Sequence, residues 1–298
     1  MTSNGIAGGT GATTVVERDL NLGDGRTLRV YDTGPGDAGA ESLVVVWHHG
    51  TPNVGAPPAP LFPAARRLGI RWVSYDRPGY GGSTPRPDRP VGSAADDVAR
   101  VVDALGVGRF AVMGHSGGGP HALACGALLP DRVLGVVSVS GLAPFDAEGL
   151  DWFAGMGDAG AASLRAAAAG RAAKERHLAS PDADHEPDFT PEDWAALAGE
   201  WSWFGDVVGP AVASGPGPHV DDDLAYVTPW GFDPARIAAP LLLLHGGRDR
   251  VVPAAHSRWL ARHCHTAEPR LVPEDGHISV MRSAASALSW LRDATRAA

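Results

Sequence analysis

The chain has 298 residues, 44% hydrophobic and 20% charged, with a formal net charge of −9. That length accommodates one large α/β domain with an insertion, and the composition excludes wholesale disorder. The acidic balance, without a Lys/Arg cluster, excludes nucleic acid as a main partner. No run reaches the roughly 18 apolar residues of a membrane span, so no membrane partner is expected.

In chain order, residues 1–12 are rich in Gly, Thr and Ser and read as a frayed end. Thr13–Glu17 and Thr27–Tyr31 read as two strands, and the Gly23-Asp24-Gly25 turn between them predicts a hairpin. Leu43–Trp47 is a continuous β-branched run, the pattern of a strand buried on both faces. A short helical stretch at 60–68 precedes a strand at Arg71–Tyr75, and Thr84–Pro90 is a proline-stiffened loop. The spacing of Val98, Val101, Val102 and Leu105 predicts a helix over 93–105, with Ser93 as its cap. Phe110–Met113 leads as a strand into Gly114-His115-Ser116-Gly117-Gly118, and a helix leads out toward Leu129-Pro130. Further strands are expected at Val133–Val139, Pro240–Leu244 and Arg270–Pro273, with helices at about 254–263 and 280–296. Strands alternating with helices imply a mostly parallel sheet covered on both faces.

The stretch from 142 to 236 breaks this rhythm. Strand signals vanish, acidic residues outnumber basic ones 17 to 5, and five of the nine tryptophans fall there. A helical insertion between two sheet strands fits, dividing the chain into a core at 1–141, a cap at 142–232 and the rest of the core at 233–298. The cap's acids read first as solvated helix faces and second as a site for a substrate amine. Its tryptophans are expected to divide between cap packing and an apolar substrate cleft. Cys125 and Cys264 have no metal-ligand spacing and read as free thiols of a reducing compartment. With no secretory signal at residues 1–19, the cytoplasm is expected.

The chemistry gathers around Ser116. A strand, then Gly-x-Ser-x-Gly, then a helix is a nucleophile elbow: the serine occupies an unfavourable backbone conformation where strand and helix approach closely. The helix start directs N–H groups at developing negative charge, which assigns the Gly117 amide to an oxyanion. A serine hydroxyl needs a base, and the base needs an acid to orient it, in the chain order Ser, acid, His. Asp249, in a glycine-containing loop beyond a strand, and His277, behind Gly276 after the last strand, supply them.

HHGTP (48–52), DRPGYGGS (76–83), GHSGGG (114–119) and HGGRDRVVP with its later GH resemble the α/β-hydrolase superfamily along nearly the whole chain. The resemblance implies an eight-stranded, mostly parallel sheet flanked by helices, its first strand pair antiparallel, with a helical cap after the sixth strand. It also implies that the turn after "HG" supplies a second oxyanion amide, from Thr51 or else Gly50.

Other residues near the chemistry have structural readings. His48 and His49 hold the oxyanion turn, His115 and His245 pack or hydrogen-bond beside the site, and Asp76 ties a loop through backbone amides. Glu274 and Asp275 compete with Asp249 as the acid, and His263 and His265 beside Cys264 do not suffice for a metal site. The sequence therefore predicts a serine hydrolase without cofactor or metal, cleaving a small or medium carboxylic ester or lactone, a small-molecule substrate, through an acyl-enzyme. A serine in place of an aspartate nucleophile disfavours the epoxide-hydrolase and haloalkane-dehalogenase branches. The alternatives are an aminopeptidase resembling proline iminopeptidases, or a non-hydrolytic biosynthetic or ligand-binding member of the fold. The sequence sets no oligomeric state.

Overall fold

A computed structural model describes residues 13–36, 39, 42–181, 186–213 and 215–296. The reading of residues 1–12 lies outside them. The sheet has eight strands: β1 (Val16–Asn21), β2 (Thr27–Asp32), β3 (Leu43–His48), β4 (Ile70–Tyr75), β5 (Phe110–His115), β6 (Val133–Val139), β7 (Leu241–Gly246) and β8 (Ala267–Val272). Their order is β1-β2-β4-β3-β5-β6-β7-β8, and only β2 runs against the rest. The expected hairpin forms with Asn21 opposite Thr27, but its first strand starts at Val16 and runs later than predicted. Val-Glu-Arg-Asp-Leu-Asn is a charged, exposed edge strand, with Glu17 and Asp19 both paired to Arg29, so apolar alternation was the wrong signal there.

The central strands are buried on both faces, and their side chains still alternate. Val44 and Val46 join one apolar cluster, while Val45 and Trp47 join the other. The first cluster packs under α2 (Ser93–Ala104), α3 (Gly118–Leu128) and α9 (Ala255–His263), and the second under α1 (Phe62–Leu68) and α10 (Ala284–Arg296). Ser93 does not cap α2. It is the first helical residue, and the amides of Ser93, Ala94 and Ala95 bond the carbonyls of Pro90, Val91 and Gly92, which leaves no donor for a capping side chain.

Between β6 and β7 lie α4 (Asp158–Ala168), α5 (Arg171–Ala179), α6 (Pro191–Ala198), α7 (Phe204–Ala213) and α8 (Gly217–Tyr226). This segment packs into both clusters, through Trp152 and Trp230 on one side and Trp201, Trp203 and Phe204 on the other. The sequence order reverses between β3 and β5. Loops leaving the carboxyl ends of these strands face a common crevice there, where open α/β sheets bind ligands. No helix among the described residues is long and apolar enough to cross a membrane.

Candidate active site

Ser116 sits between β5 and α3 at φ 54°, in the left-handed region that a side chain rarely adopts. Its amide bonds the Val139 carbonyl at 2.9 Å, and its carbonyl accepts from Gly119 at 2.9 Å, which pins the bend at both ends. The flanking glycines are steric necessities. A Cβ on Gly114 would stand 2.1 Å from the Gly118 carbonyl oxygen, and one on Gly118 would stand 2.0 Å from that of His48. The collisions are with backbone, which cannot rotate away. Gly118→Val is therefore expected to lower both stability, by several kcal/mol, and activity. A chemical denaturation curve and turnover rate like those of the unmodified protein would remove the steric argument.

The three predicted side chains meet in one line. His277 Nε2 lies 2.8 Å from Ser116 Oγ, and His277 Nδ1 lies 2.8 Å from Asp249 Oδ2. Facing a carboxylate, Nδ1 carries the imidazole proton, which leaves the Nε2 lone pair toward the serine hydroxyl. Asp249 is buried, and its other oxygen accepts the amides of Val251 and Val252, each at 2.9 Å. Burial raises the Asp249 pKa, but His277, together with a hydrogen bond from His245, outweighs it and holds the carboxyl well below its usual range. The rival acids stand elsewhere. Glu274 is exposed and pairs with Arg248, and among the described residues neither it nor Asp275 bonds His277.

The amides of Thr51 and Gly117 carry no hydrogen bond to another described residue, and Gly117 precedes the first turn of α3. His49 holds the turn as expected. Its Nε2 accepts the Arg77 amide at 3.0 Å, so its Nδ1 donates to the Gly50 carbonyl at 2.8 Å. Asp76 accepts from the amides of Gly55 and Gly82 and from the Tyr31 hydroxyl. His115 bonds the His277 carbonyl, and His245 bonds Ser257 and the Val252 carbonyl. His263 stacks on Trp259, and the Cys264 thiol faces the Pro234 carbonyl.

Two aspartates that sequence reasoning missed tie the inserted helices to this site. Asp193 accepts the amides of His277, Ile278 and Ser279 and the Ser279 hydroxyl, while capping α6 reciprocally with Thr190. Burial raises its pKa, but these backbone donors prevail and keep it low. The Thr-Pro-Glu-Asp spacing announces the cap; nothing local announces the histidine loop 84–86 residues away.

Asp222 is fully buried and meets Arg77 and Arg89, Tyr80 OH at 3.0 Å and Thr51 Oγ1 at 2.6 Å. Arg77 in turn donates to the carbonyls of His49 and Gly50 and to Thr51 Oγ1. Burial drives the Asp222 carboxyl up, but the two guanidinium groups hold it well below the ordinary value. Its neighbours are engaged as well, Asp221 by Arg171 and Asp223 by Lys174. The three consecutive acids thus are neither a solvated face nor a free amine site; each offsets a cation. Asp222→Ala would leave two buried arginines without their countercharge and is expected to cost about 3–5 kcal/mol of unfolding free energy. A denaturation midpoint within the spread of surface variants would refute that accounting.

Ser116, His277, Thr51 and Asn53 open into a cavity of about 940 Å³ whose outer wall comes from the inserted helices. Its aromatic lining is Phe189 and Phe204; no tryptophan lines it. Trp152, Trp201, Trp203 and Trp230 are buried in packing and Trp194 is exposed, which corrects the expected division of the tryptophans.

Residues 44–284 match the family model described as the alpha/beta hydrolase fold. An epoxide hydrolase B of Mycobacterium tuberculosis is 33% identical over 138 residues, 45% of this chain and 37% of that protein. A bifunctional esterase/perhydrolase of Acinetobacter calcoaceticus is 36% identical over 123 residues, 41% of this chain and 43% of that protein. The matches thus span less than half the length of these curated relatives. The crystal structure of a hydrolase from Pseudomonas aeruginosa superposes with a TM-score of 0.68 at 21% identity, covering 95% of this chain and 98% of that one. From its sheet order, its elbow and the extent of the family match, the chain belongs to the α/β-hydrolase fold family.

Proposed function

We propose that this protein is a serine hydrolase that cleaves a small or medium carboxylic ester or lactone through an acyl-enzyme. The observation that carries the reading is the unbroken Ser116–His277–Asp249 hydrogen-bond chain opening into a cavity of ligand size. Ser116 Oγ attacks the carbonyl carbon while His277 Nε2 takes its proton, and Asp249 stabilises the imidazolium. The amides of Thr51 and Gly117 receive the tetrahedral oxyanion, a contribution of about 10²–10³ in rate per donor. The imidazolium then protonates the leaving alkoxide, and water, deprotonated by the same histidine, releases the acid. These steps draw on no metal or cofactor.

Residues 142–232 act in this reading as a cap that shapes the pocket for a small-molecule substrate, with no nucleic-acid or membrane partner. The cytoplasm is the proposed compartment, supported by two buried, unpaired thiols.

The likeness to an esterase/perhydrolase supports ester chemistry. That to an epoxide hydrolase fits less well: a serine opening an epoxide would form an ether, which has no carbonyl for water to attack. Asp221, Asp222 and Asp223 already pair with cations, so support for the aminopeptidase alternative narrows to Glu186 and Asp188, the acids of the inserted segment that line the cavity.

The test compares the unmodified protein with Ser116→Ala on p-nitrophenyl esters of graded length, lactones, and proline and alanine p-nitroanilides. Ester or lactone turnover that falls about 10⁶-fold in the variant supports the proposal. Turnover confined to the anilides would replace it with the aminopeptidase, and no Ser116-dependent turnover would overturn both.

A further inference from the structure

Away from the serine, the cavity wall contains a polar group that ester hydrolysis does not require. Ser163 on α4 lines the same cavity as Ser116 and His277. Behind it stands Lys174 on α5, fully buried, whose ammonium donates to Ser163 Oγ and lies 2.5 Å from Asp223 Oδ2 on α8. His219, also a lining residue, places Nε2 3.4 Å from that same carboxylate oxygen.

The donor inventory fixes what Ser163 can do. An ammonium only donates, so Ser163 Oγ must accept, and its own hydrogen remains to be placed. A helical serine ordinarily returns that hydrogen to the carbonyl four residues back, here Ala159. No such bond forms, and among the described residues the Ser163 hydroxyl has no acceptor. The adjacent cation polarises the O–H and strengthens it as a donor. The Lys174–Asp223 pair ties α5 to α8, and Ser163 Oγ gives the buried ammonium a second acceptor; that role uses the oxygen of Ser163 and not its hydrogen. Apolar Ala159, Leu178, Val208 and Val212 line the same cavity.

We propose that Ser163, held by Lys174 and Asp223, is a specificity-determining donor for a second acceptor oxygen of the substrate, remote from the scissile carbonyl. The substrate class is then an ester or lactone bearing a further keto, ether or carboxylate oxygen rather than a plain alkyl ester. A plain chain leaves the donor unmatched, and such sites discriminate strongly against analogues lacking the acceptor.

This inference rests on the hydrolase reading for the orientation of the ligand, and its test is separable from that reading. Binding is measured calorimetrically on Ser116→Ala protein with methyl hexanoate and its 3-, 4- and 5-oxo derivatives, so no turnover is needed. At least one oxo ester is expected to bind about 10-fold more tightly than the parent. Adding Ser163→Ala should bring that ratio close to one, with thermal melting reporting whether the double variant is folded. Equal affinity across the series on Ser116→Ala, which requires no change at Ser163, would overturn the proposal, as would a ratio that survives in the folded double variant. The hydrolase reading stands or falls separately, on Ser116-dependent turnover of the parent p-nitrophenyl ester.

Discussion

Asp249→Asn is expected to lower kcat on the best ester about 10⁴-fold with little change in fold, while Glu274→Gln stays within about twofold. The size of the loss follows from how the carboxylate is held. One oxygen of Asp249 accepts two backbone amides, so an asparagine there would keep its carbonyl oxygen on Val251 and Val252. Its amide group would then face His277 Nδ1, which would have to become the acceptor. The imidazole proton moves to Nε2 and points at Ser116 Oγ, so the base is in the wrong tautomer for the proton it must take. Glu274 lies on the surface paired with Arg248 and loses only a screened ion pair. Steady-state kinetics on both variants, with thermal melts as controls, decide the matter. An Asp249→Asn enzyme within tenfold of the unmodified one, or a larger loss at Glu274, would move the acid role.

That chain was readable because each member obeys a local rule. Gly114 and Gly118 mark the elbow through a steric demand that any chain must meet there. Asp249 and His277 follow strands β7 and β8 behind glycines, where loops at the sheet's carboxyl edge begin. The sheet was legible for the same reason, its central strands being apolar runs bounded by turn residues. The unreadable parts are long-range or edge features. Asp222 finds Arg77 across 145 residues, and a run of three aspartates on a helix gives no sign of which cation each will meet. Strand β1 is charged because an exposed edge must resist pairing, and that inverts the pattern used to find strands. Ser93 resembles a cap in sequence, but the preceding turn already satisfies the helix start.

The second large effect is loss of stability in mild acid, set by histidines that the fold keeps neutral. Burial lowers His48 and His115 to about 3 and His256 to about 4, and it takes His49 and His121 well below 6.5. The charge on Arg77 deepens the shift at His48, His49 and His121. His48 Nδ1 and His121 Nε2 have no partner among the described residues, so no carboxylate waits to receive a second proton. In the unfolded chain these rings titrate near 6.5. Above that value neither state is protonated and nothing is lost. As pH falls from 6.5 toward the folded values, the unfolded chain gains protons that the native state refuses. Stability then drops by about 1.4 kcal/mol per pH unit for each histidine. Asp76, Asp97, Asp221 and Asp275 act in the opposite sense, because burial raises their carboxyl pKa values and the native state holds their protons longer. They can cancel at most four of the five, which leaves a slope of roughly 1.4–7 kcal/mol per pH unit around pH 5. The depressed carboxyls of Asp193, Asp222 and Asp249 add their own loss only as pH falls through and below about 3.9. A domain holds about 5–15 kcal/mol in total, so a large part of its stability is expected to be lost between about pH 6.5 and 4. Urea midpoints measured from pH 7.5 to 4.5 check this directly. A midpoint that stays level between pH 6.5 and 5 would mean that the buried rings accept protons in the native state, and the tight, cation-flanked packing of His48, His49 and His121 would have to be abandoned.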